Sequence, residues 1–138
     1  MTTSINTALC SFGMSGLVFH SPFLTINPHF NFYAVWERSK NEAQQKFPEV
    51  KTFRSLDEML ADPLVELVIV NTPNYTHYEY AKKALLAGKH VIVEKPFTTN
   101  LEDANELIEI AKKEKKVLSV YQNRRYDSDF KTIRKIIN

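Results

Sequence analysis

Cysteine is almost missing from this chain. Cys10 stands alone, so no disulfide can form within it, and in an apolar run it reads as a small buried hydrophobe. No charge of one sign dominates, and a formal net charge of +2 is too small to argue for a nucleic-acid partner. Basic residues are scattered except in Lys112-Lys113-Glu114-Lys115-Lys116 and Arg124-Arg125. The lysine cluster falls where a helix should end and complements its dipole. No apolar stretch is long enough to span a bilayer. Met1-Thr2-Thr3-Ser4 lacks the basic start and apolar core of a secretory leader. A reducing cytoplasm fits these features. The four histidines and one cysteine show no ligand spacing, so no metal is expected. Internal repeats, low-complexity segments and long linkers are also absent.

What is present suits one folded domain. A chain of 138 residues buries roughly two-thirds of the surface its unfolded form would expose. Short apolar runs alternate with helical patterns. Strands are expected over residues 7–10, 30–36, 50–53, 67–70, 90–93 and 117–121. Helices are expected over 14–25, 41–47, 55–61, 76–87, from Asn100, and over 129–138. Ser55 with Glu58, and Thr76 with Glu79, have capping-box spacing. Gly88 sits where a helix ends. Leu101, Ala104, Ile108 and Ala111 recur on one helix face. The near-continuous apolar run Leu67-Val68-Ile69-Val70 needs helices over both sheet faces. Alternation of this kind specifies an α/β fold with a doubly wound parallel sheet. The last helix carries Phe130, Ile133 and Ile137 on one face. Either it folds back on the domain or it belongs to an interface.

Three strand ends carry residues suited to chemistry. Ser11-Phe12-Gly13-Met14-Ser15-Gly16 follows the first strand, and Ser11 stands where the dinucleotide fingerprint has its first glycine. Gly13 can still admit a pyrophosphate to the backbone, and Gly16 can let the helix pack on the strand. The helix amino terminus would hold phosphates through free N–H groups. An ordinary tight turn is the alternative. Glu37 ends the second strand, 21 residues past Gly16, where a carboxylate accepts hydrogen bonds from an adenosine ribose and favours NAD. Arg38 and Lys40 follow and can pair with a 2′-phosphate, which favours NADP. A solvated Glu-Arg turn is the bland reading.

Thr72-Pro73-Asn74 lies where phosphates and the nicotinamide ribose would pass. His77, in the next helix's first turn, suits a structural hydrogen-bonding role better than a catalytic one. Val91-Ile92-Val93-Glu94-Lys95-Pro96 is an apolar run cut off by a charged pair and proline, which places Lys95 at the sheet's ligand-binding rim. A lysine partly desolvated beside a cofactor can exchange a proton near neutral pH. Glu94 can orient it or bond the nicotinamide carboxamide or ribose. A cis Lys95–Pro96 bond would aim the lysine inward. The alternative is a surface Lys-Pro turn.

These residues, taken in order, resemble the glucose-fructose oxidoreductase / inositol dehydrogenase (Gfo/Idh/MocA) family. The resemblance runs from the Ser11–Gly16 turn with Phe19-His20-Ser21-Pro22, through Thr72-Pro73-Asn74-Tyr75-Thr76-His77 and Ala87-Gly88-Lys89-His90-Val91, to Glu94-Lys95-Pro96. The stretch Val120-Tyr121-Gln122-Asn123-Arg124-Arg125-Tyr126-Asp127 is most similar to the scyllo-inositol dehydrogenase-like branch. The resemblance implies a Rossmann domain for NAD or NADP over residues 1–125, with Met14, Ser15, Pro96 and Asn123 among the cofactor contacts and Lys95 catalytic. It implies hydride transfer between a sugar or cyclitol hydroxyl carbon and nicotinamide, in a homo-oligomer of the full-length form. Residues 126–138 would lead toward the family's second α/β domain, which is absent from this chain. Two other readings stay open: a stand-alone dinucleotide-binding module without catalysis, and a decayed Rossmann-like interaction domain, of which Ser11 would be the sign.

Overall fold

The computed structural model describes residues 4–137. Residues 1–3 of the segment tested for a leader, and Asn138 of the closing helix, lie outside the described residues. Six strands form one sheet: β1 (Ile5–Leu9), β2 (Phe30–Trp36), β3 (Lys51–Phe53), β4 (Leu67–Val70), β5 (His90–Glu94) and β6 (Leu118–Tyr121). Their order is β3-β2-β1-β4-β5-β6, and every pairing is parallel. The chain leaves β1 to build outward through β2 and β3, then returns to build the other way from β4. The carboxyl ends of β1 and β4 therefore border the crevice where such sheets bind ligands.

Helices cover both faces. A π-wound segment (Ser15–His20) runs into α1 (Ser21–Ile26), followed by α2 (Glu42–Lys46), α3 (Leu56–Ala61), α4 (His77–Leu86), α5 (Leu101–Lys113) and α6 (Ser128–Ile137). The period of two along the strands divides the core. Val68 and Val70 of β4, with Val91 and Val93 of β5, pack under α3, α4 and α5. Ile69 points to the other face, with Leu9, Val35 and the stacked pair Phe12 and Phe32. All four β4 residues are buried, as a strand covered on both sides requires.

Some local expectations hold and others do not. Gly88 has φ +74° at the end of α4, a conformation that costs other L-residues free energy. Ser55 accepts a bond from the Glu58 amide, and Asn100 caps α5 through the Asp103 amide. Thr76 does not cap α4. A 3₁₀ turn over Asn74–Thr76 runs straight into the helix, so Thr76 is helical rather than extended, and its hydroxyl donates to Pro73 O at 2.7 Å. The expected stripe on α5 is also shifted. Leu107 and Ala111 are buried, whereas Leu101 and Ile108 are exposed. The sheet ends at β6, so Ile108 looks onto an open groove beside Leu118 and Val120 instead of a covered face. None of the described α6 residues is buried, so that helix does not fold back on the domain. Among the described residues, no helix is long and apolar enough to cross a membrane.

Candidate functional site

The glycine turn is built by a side chain remote in sequence. Asn71, just past β4, accepts from the Ser11 amide through Oδ1 (3.0 Å) and donates from Nδ2 to Ser11 O (2.9 Å). The Ser11 hydroxyl returns a bond to Asn71 O at 3.0 Å. One amide thus extends the β1–β4 pairing beyond both strands and fixes the turn. The serine in place of a glycine is part of this latch. A Cβ on Gly16 would lie 2.6 Å from Ser11 O and 3.1 Å from Asn71 Nδ2, so only hydrogen fits there. Gly13 is the opposite case: nothing lies within 4 Å of its virtual Cβ. It stands open beside a cavity of about 540 Å³ whose walls include Ser11, Trp36, Arg38, Thr72 and Tyr80. Met14, next to it, is exposed.

At the β2 end Glu37 is engaged by the helix that follows it. Its carboxylate borders the cavity, yet the residue is buried, with Oε1 accepting from the Glu42 amide (3.1 Å) and Oε2 from the Ala43 amide (3.2 Å). The acid thereby caps α2 from five residues upstream, and each carboxylate oxygen keeps acceptor capacity beyond the one amide it receives. Arg54, past β3, pins the same loop: Nη1 donates to Glu37 O at 2.9 Å and Lys40 O at 2.6 Å, and Nη2 to Asn41 Oδ1. The pinned loop exposes Arg38, Ser39 and Lys40 to the cavity. Lys40 pairs with Glu42 at 2.8 Å. Among the described residues the Arg38 guanidinium has no ion-pair partner.

Thr72 and Pro73 also line the cavity, while Asn74 is exposed on the 3₁₀ turn outside it. His77 is a strut. Buried at 1% exposure, it sets Nδ1 2.8 Å from Pro96 O and Nε2 2.9 Å from Thr72 O. Both partners are carbonyl oxygens, so the neutral ring donates to one of them according to its tautomer and bridges the β4 loop to the β5 loop.

On the other side of the glycine turn lies Glu94. Ser15 Oγ donates to its Oε1 at 2.9 Å, and His20 Nε2 meets the same oxygen at 2.9 Å. Burial pushes the Glu94 carboxyl up, but the hydrogen bonds from His20 and Ser15 outweigh it and hold the group below the usual glutamate range. His20 is buried and lies 4.5 Å from the Tyr121 ring, whose hydroxyl donates to Phe19 O. Burial, with the Glu94 charge adding, raises the Tyr121 hydroxyl. Lys95 is exposed, and its Nζ meets no polar partner among the described residues. The Lys95–Pro96 bond is cis. Pro96 is exposed, and Asn123 opens the 3₁₀ turn after β6, apart from the cavity walls. The Cys10 thiol, at the cavity floor, is pushed up to about 12 by burial, which removes it as a nucleophile at neutral pH. Among the described residues, no group of three or more His, Cys, Asp or Glu side chains could hold a metal ion.

Sequence reasoning gave no role to Asn71, Arg54 or His20, although His20 stood in the Phe19-His20-Ser21-Pro22 motif. Asn71 had a signal: a polar residue closing the apolar run of β4. The other two act across distances that no local pattern encodes.

The chain has counterparts among known proteins. Residues 5–122 match the GFO_IDH_MocA oxidoreductase family, NAD-binding Rossmann fold. The chain is 48% identical over 138 residues to the uncharacterized oxidoreductase C26H5.09c of Schizosaccharomyces pombe, covering 96% of this chain and 37% of that protein. It is 38% identical to scyllo-inositol 2-dehydrogenase (NADP(+)) IolW of Bacillus subtilis, covering 98% and 38%. The crystal structure of a Bacteroides fragilis protein superposes at TM-score 0.91 with 53% identity, over 97% of this chain and 42% of that one. The chain spans about two-fifths of the length of these relatives.

Proposed function

The chain belongs to the Gfo/Idh/MocA oxidoreductase family with the NAD-binding Rossmann fold, and we propose that it is the cofactor-binding part of an enzyme moving a hydride between a sugar or cyclitol hydroxyl carbon and nicotinamide. The observation that carries this is the open Gly13 turn at the β1–β4 crossover, beside a cavity that continues to the β2 end. That is where a dinucleotide lies in such a sheet.

The residues present fit the cofactor. Gly13, with no neighbour at its virtual Cβ, admits a pyrophosphate to the backbone, and Ser11 and Thr72 add hydroxyls nearby. Once bound, nicotinamide supplies the hydride acceptor or donor. Lys95, at the rim past β5, would take the hydroxyl proton on a neutral Nζ during oxidation, once cofactor and substrate exclude water from it, and return it during reduction. Glu94 presents a carboxylate beside it. The phosphorylated cofactor is favoured, because the Glu37 carboxylate is engaged by two α2 amides while Arg38 is displayed to the cavity with no ion-pair partner among the described residues. The name of the Bacillus subtilis relative supports both a cyclitol substrate and NADP. The whole enzyme would be a homo-oligomer working in the cytoplasm, with residues 126–138 leading toward a second domain.

Titrating the 138-residue chain with NADPH and with NADH, read by nicotinamide fluorescence, tests the proposal. Saturable binding with NADPH tighter is expected. A folded chain that binds neither would overturn it.

A further inference from the structure

An α-helix does not bring residues five apart to one point. At 3.6 residues per turn, Ser15 and His20 would project about 140° apart. Here the segment is π-wound, and the Ser21 N–H reaches Gly16 O, five residues back. The wider turn stacks His20 over Ser15, and both side chains meet Glu94 Oε1 at 2.9 Å. Such π segments cluster at functional sites. Pro22 has no N–H to give Val18 O and so already breaks the α-helical ladder here; the wider turn that accompanies the break lets both side chains share one carboxylate oxygen.

The chemistry at Glu94 fixes the protons. An ionised carboxylate only accepts, so Ser15 must donate from Oγ and His20 from Nε2–H. The imidazole is boxed on its flank by Tyr121, itself tethered through its hydroxyl to Phe19 O at 3.0 Å. Among the described residues Oε2, in contrast, receives only the adjacent Lys95 amide at 3.2 Å, a long contact that leaves acceptor capacity. Across the crevice, the Gly13 cavity runs to the β2 end, so Glu94 stands on the side where the far end of a dinucleotide must emerge.

We infer that the π-wound segment is a positioning device: Ser15 and His20 clamp Oε1 of Glu94 so that Oε2 accepts a hydrogen bond from the nicotinamide half of the bound cofactor. His20 is a positioning residue, acting through Glu94. The inference rests on the function proposed above and adds to it a residue outside the Glu-Lys-Pro segment.

The test is a set of cofactor titrations on this chain with thermal unfolding in parallel. His20→Phe keeps a ring against Tyr121 and removes the donor; it should weaken NADPH about 10-fold, as loss of one charge-assisted hydrogen bond would. His20→Gln, whose Nε2 can donate to the same oxygen, should restore affinity to within roughly three-fold. On a Glu94→Gln background, His20→Phe should add less than about a two-fold loss. If His20→Phe does not fold, Ser15→Ala takes its place, and a loss of about three-fold that vanishes on the Glu94→Gln background supports the clamp. Wild-type affinity in His20→Phe overturns the inference. So does a His20→Gln as weak as the phenylalanine variant, or an undiminished loss in the double variant, since either means His20 acts through the fold alone. Binding of neither cofactor by the wild type overturns the proposed function, and this inference with it.

Discussion

Adding one methyl group at Gly16 should unseat the cofactor turn, whereas adding it at Gly13 should leave the fold intact. In Gly16→Ala the new Cβ would sit 2.6 Å from Ser11 O, a backbone atom, and 3.1 Å from Asn71 Nδ2. Ser11 O cannot yield freely, because Asn71 holds it at 2.9 Å and holds the Ser11 amide at 3.0 Å. Relief requires opening that latch, at about 1 kcal/mol for each of its bonds, on top of about 1–3 kcal/mol for overpacking. With the two bonds to Ser11 main-chain atoms counted, a total of about 3–5 kcal/mol corresponds to a fall of roughly 10–15 °C in Tm for a domain of this size. In Gly13→Ala the Cβ meets nothing within 4 Å, so Tm should hold within about 2 °C. Its cofactor affinity should nevertheless drop, because the added methyl occupies the approach to the backbone. The assay is a thermal melt of both variants with NADPH titration alongside. A Gly16→Ala chain as stable as the wild type would refute the close packing of turn and helix. A Gly13→Ala chain with full affinity would show that the pyrophosphate does not meet the turn there.

Three other outcomes are expected. Arg38→Ala should weaken NADPH about 10-fold, the scale of a lost charge-assisted contact, and leave NADH within about two-fold; an equal change for both would remove Arg38 from 2′-phosphate recognition. Lys95→Ala should leave cofactor affinity within a few-fold, since Nζ is exposed and unpaired, while cutting turnover of the full-length enzyme by roughly 10²-fold or more; unchanged turnover would exclude the lysine as the proton carrier. Asp62 accepts from Lys51 Nζ at 2.8 Å, and this bond, though opposed by burial, helps hold its carboxyl below the usual range, with the Leu64 amide and the Tyr33 hydroxyl adding to it. A depressed folded-state value means the stabilisation is present above the unfolded-state value and is lost as pH falls through the folded one. Asp62→Asn should therefore flatten the decline of Tm below about pH 4, and an unaltered acid limb would show that the pair adds nothing.

The sheet was legible because its signals are local. The valines and isoleucines of β4 and β5 form short runs bounded by polar residues, and Gly88 marks a helix end that its positive φ requires. Thr76 misled because capping-box spacing says nothing of whether the preceding backbone is extended, and here a 3₁₀ turn makes it helical. Leu101 and Ile108 misled because periodicity reveals an apolar face but not whether the sheet reaches far enough to cover it. The glycine turn was read from its own residues, yet the group that shapes it, Asn71, lies 60 positions away. Glu37 was placed correctly at a strand end, but its engagement depends on where α2 begins, and Arg54 then fixes the loop from a third strand. The Asn71 and Arg54 contacts are tertiary, whereas the Glu37 cap is local but carries no standard capping spacing.

The Ser11–Asn71 latch sets an unequal tolerance to change at its two ends. Replacing Ser11 with glycine would remove the hydroxyl bond alone, since the other two use Ser11 main-chain atoms. Replacing Asn71 removes both of the bonds its side chain makes, and aspartate would turn an acceptor toward Ser11 O where a donor is needed. Only a short amide offers a donor and an acceptor at that reach. The first glycine of the fingerprint is thus free to drift in a chain of this kind, while the asparagine that closes β4 is not. Descendants whose glycine turn has become unrecognisable would still carry that asparagine.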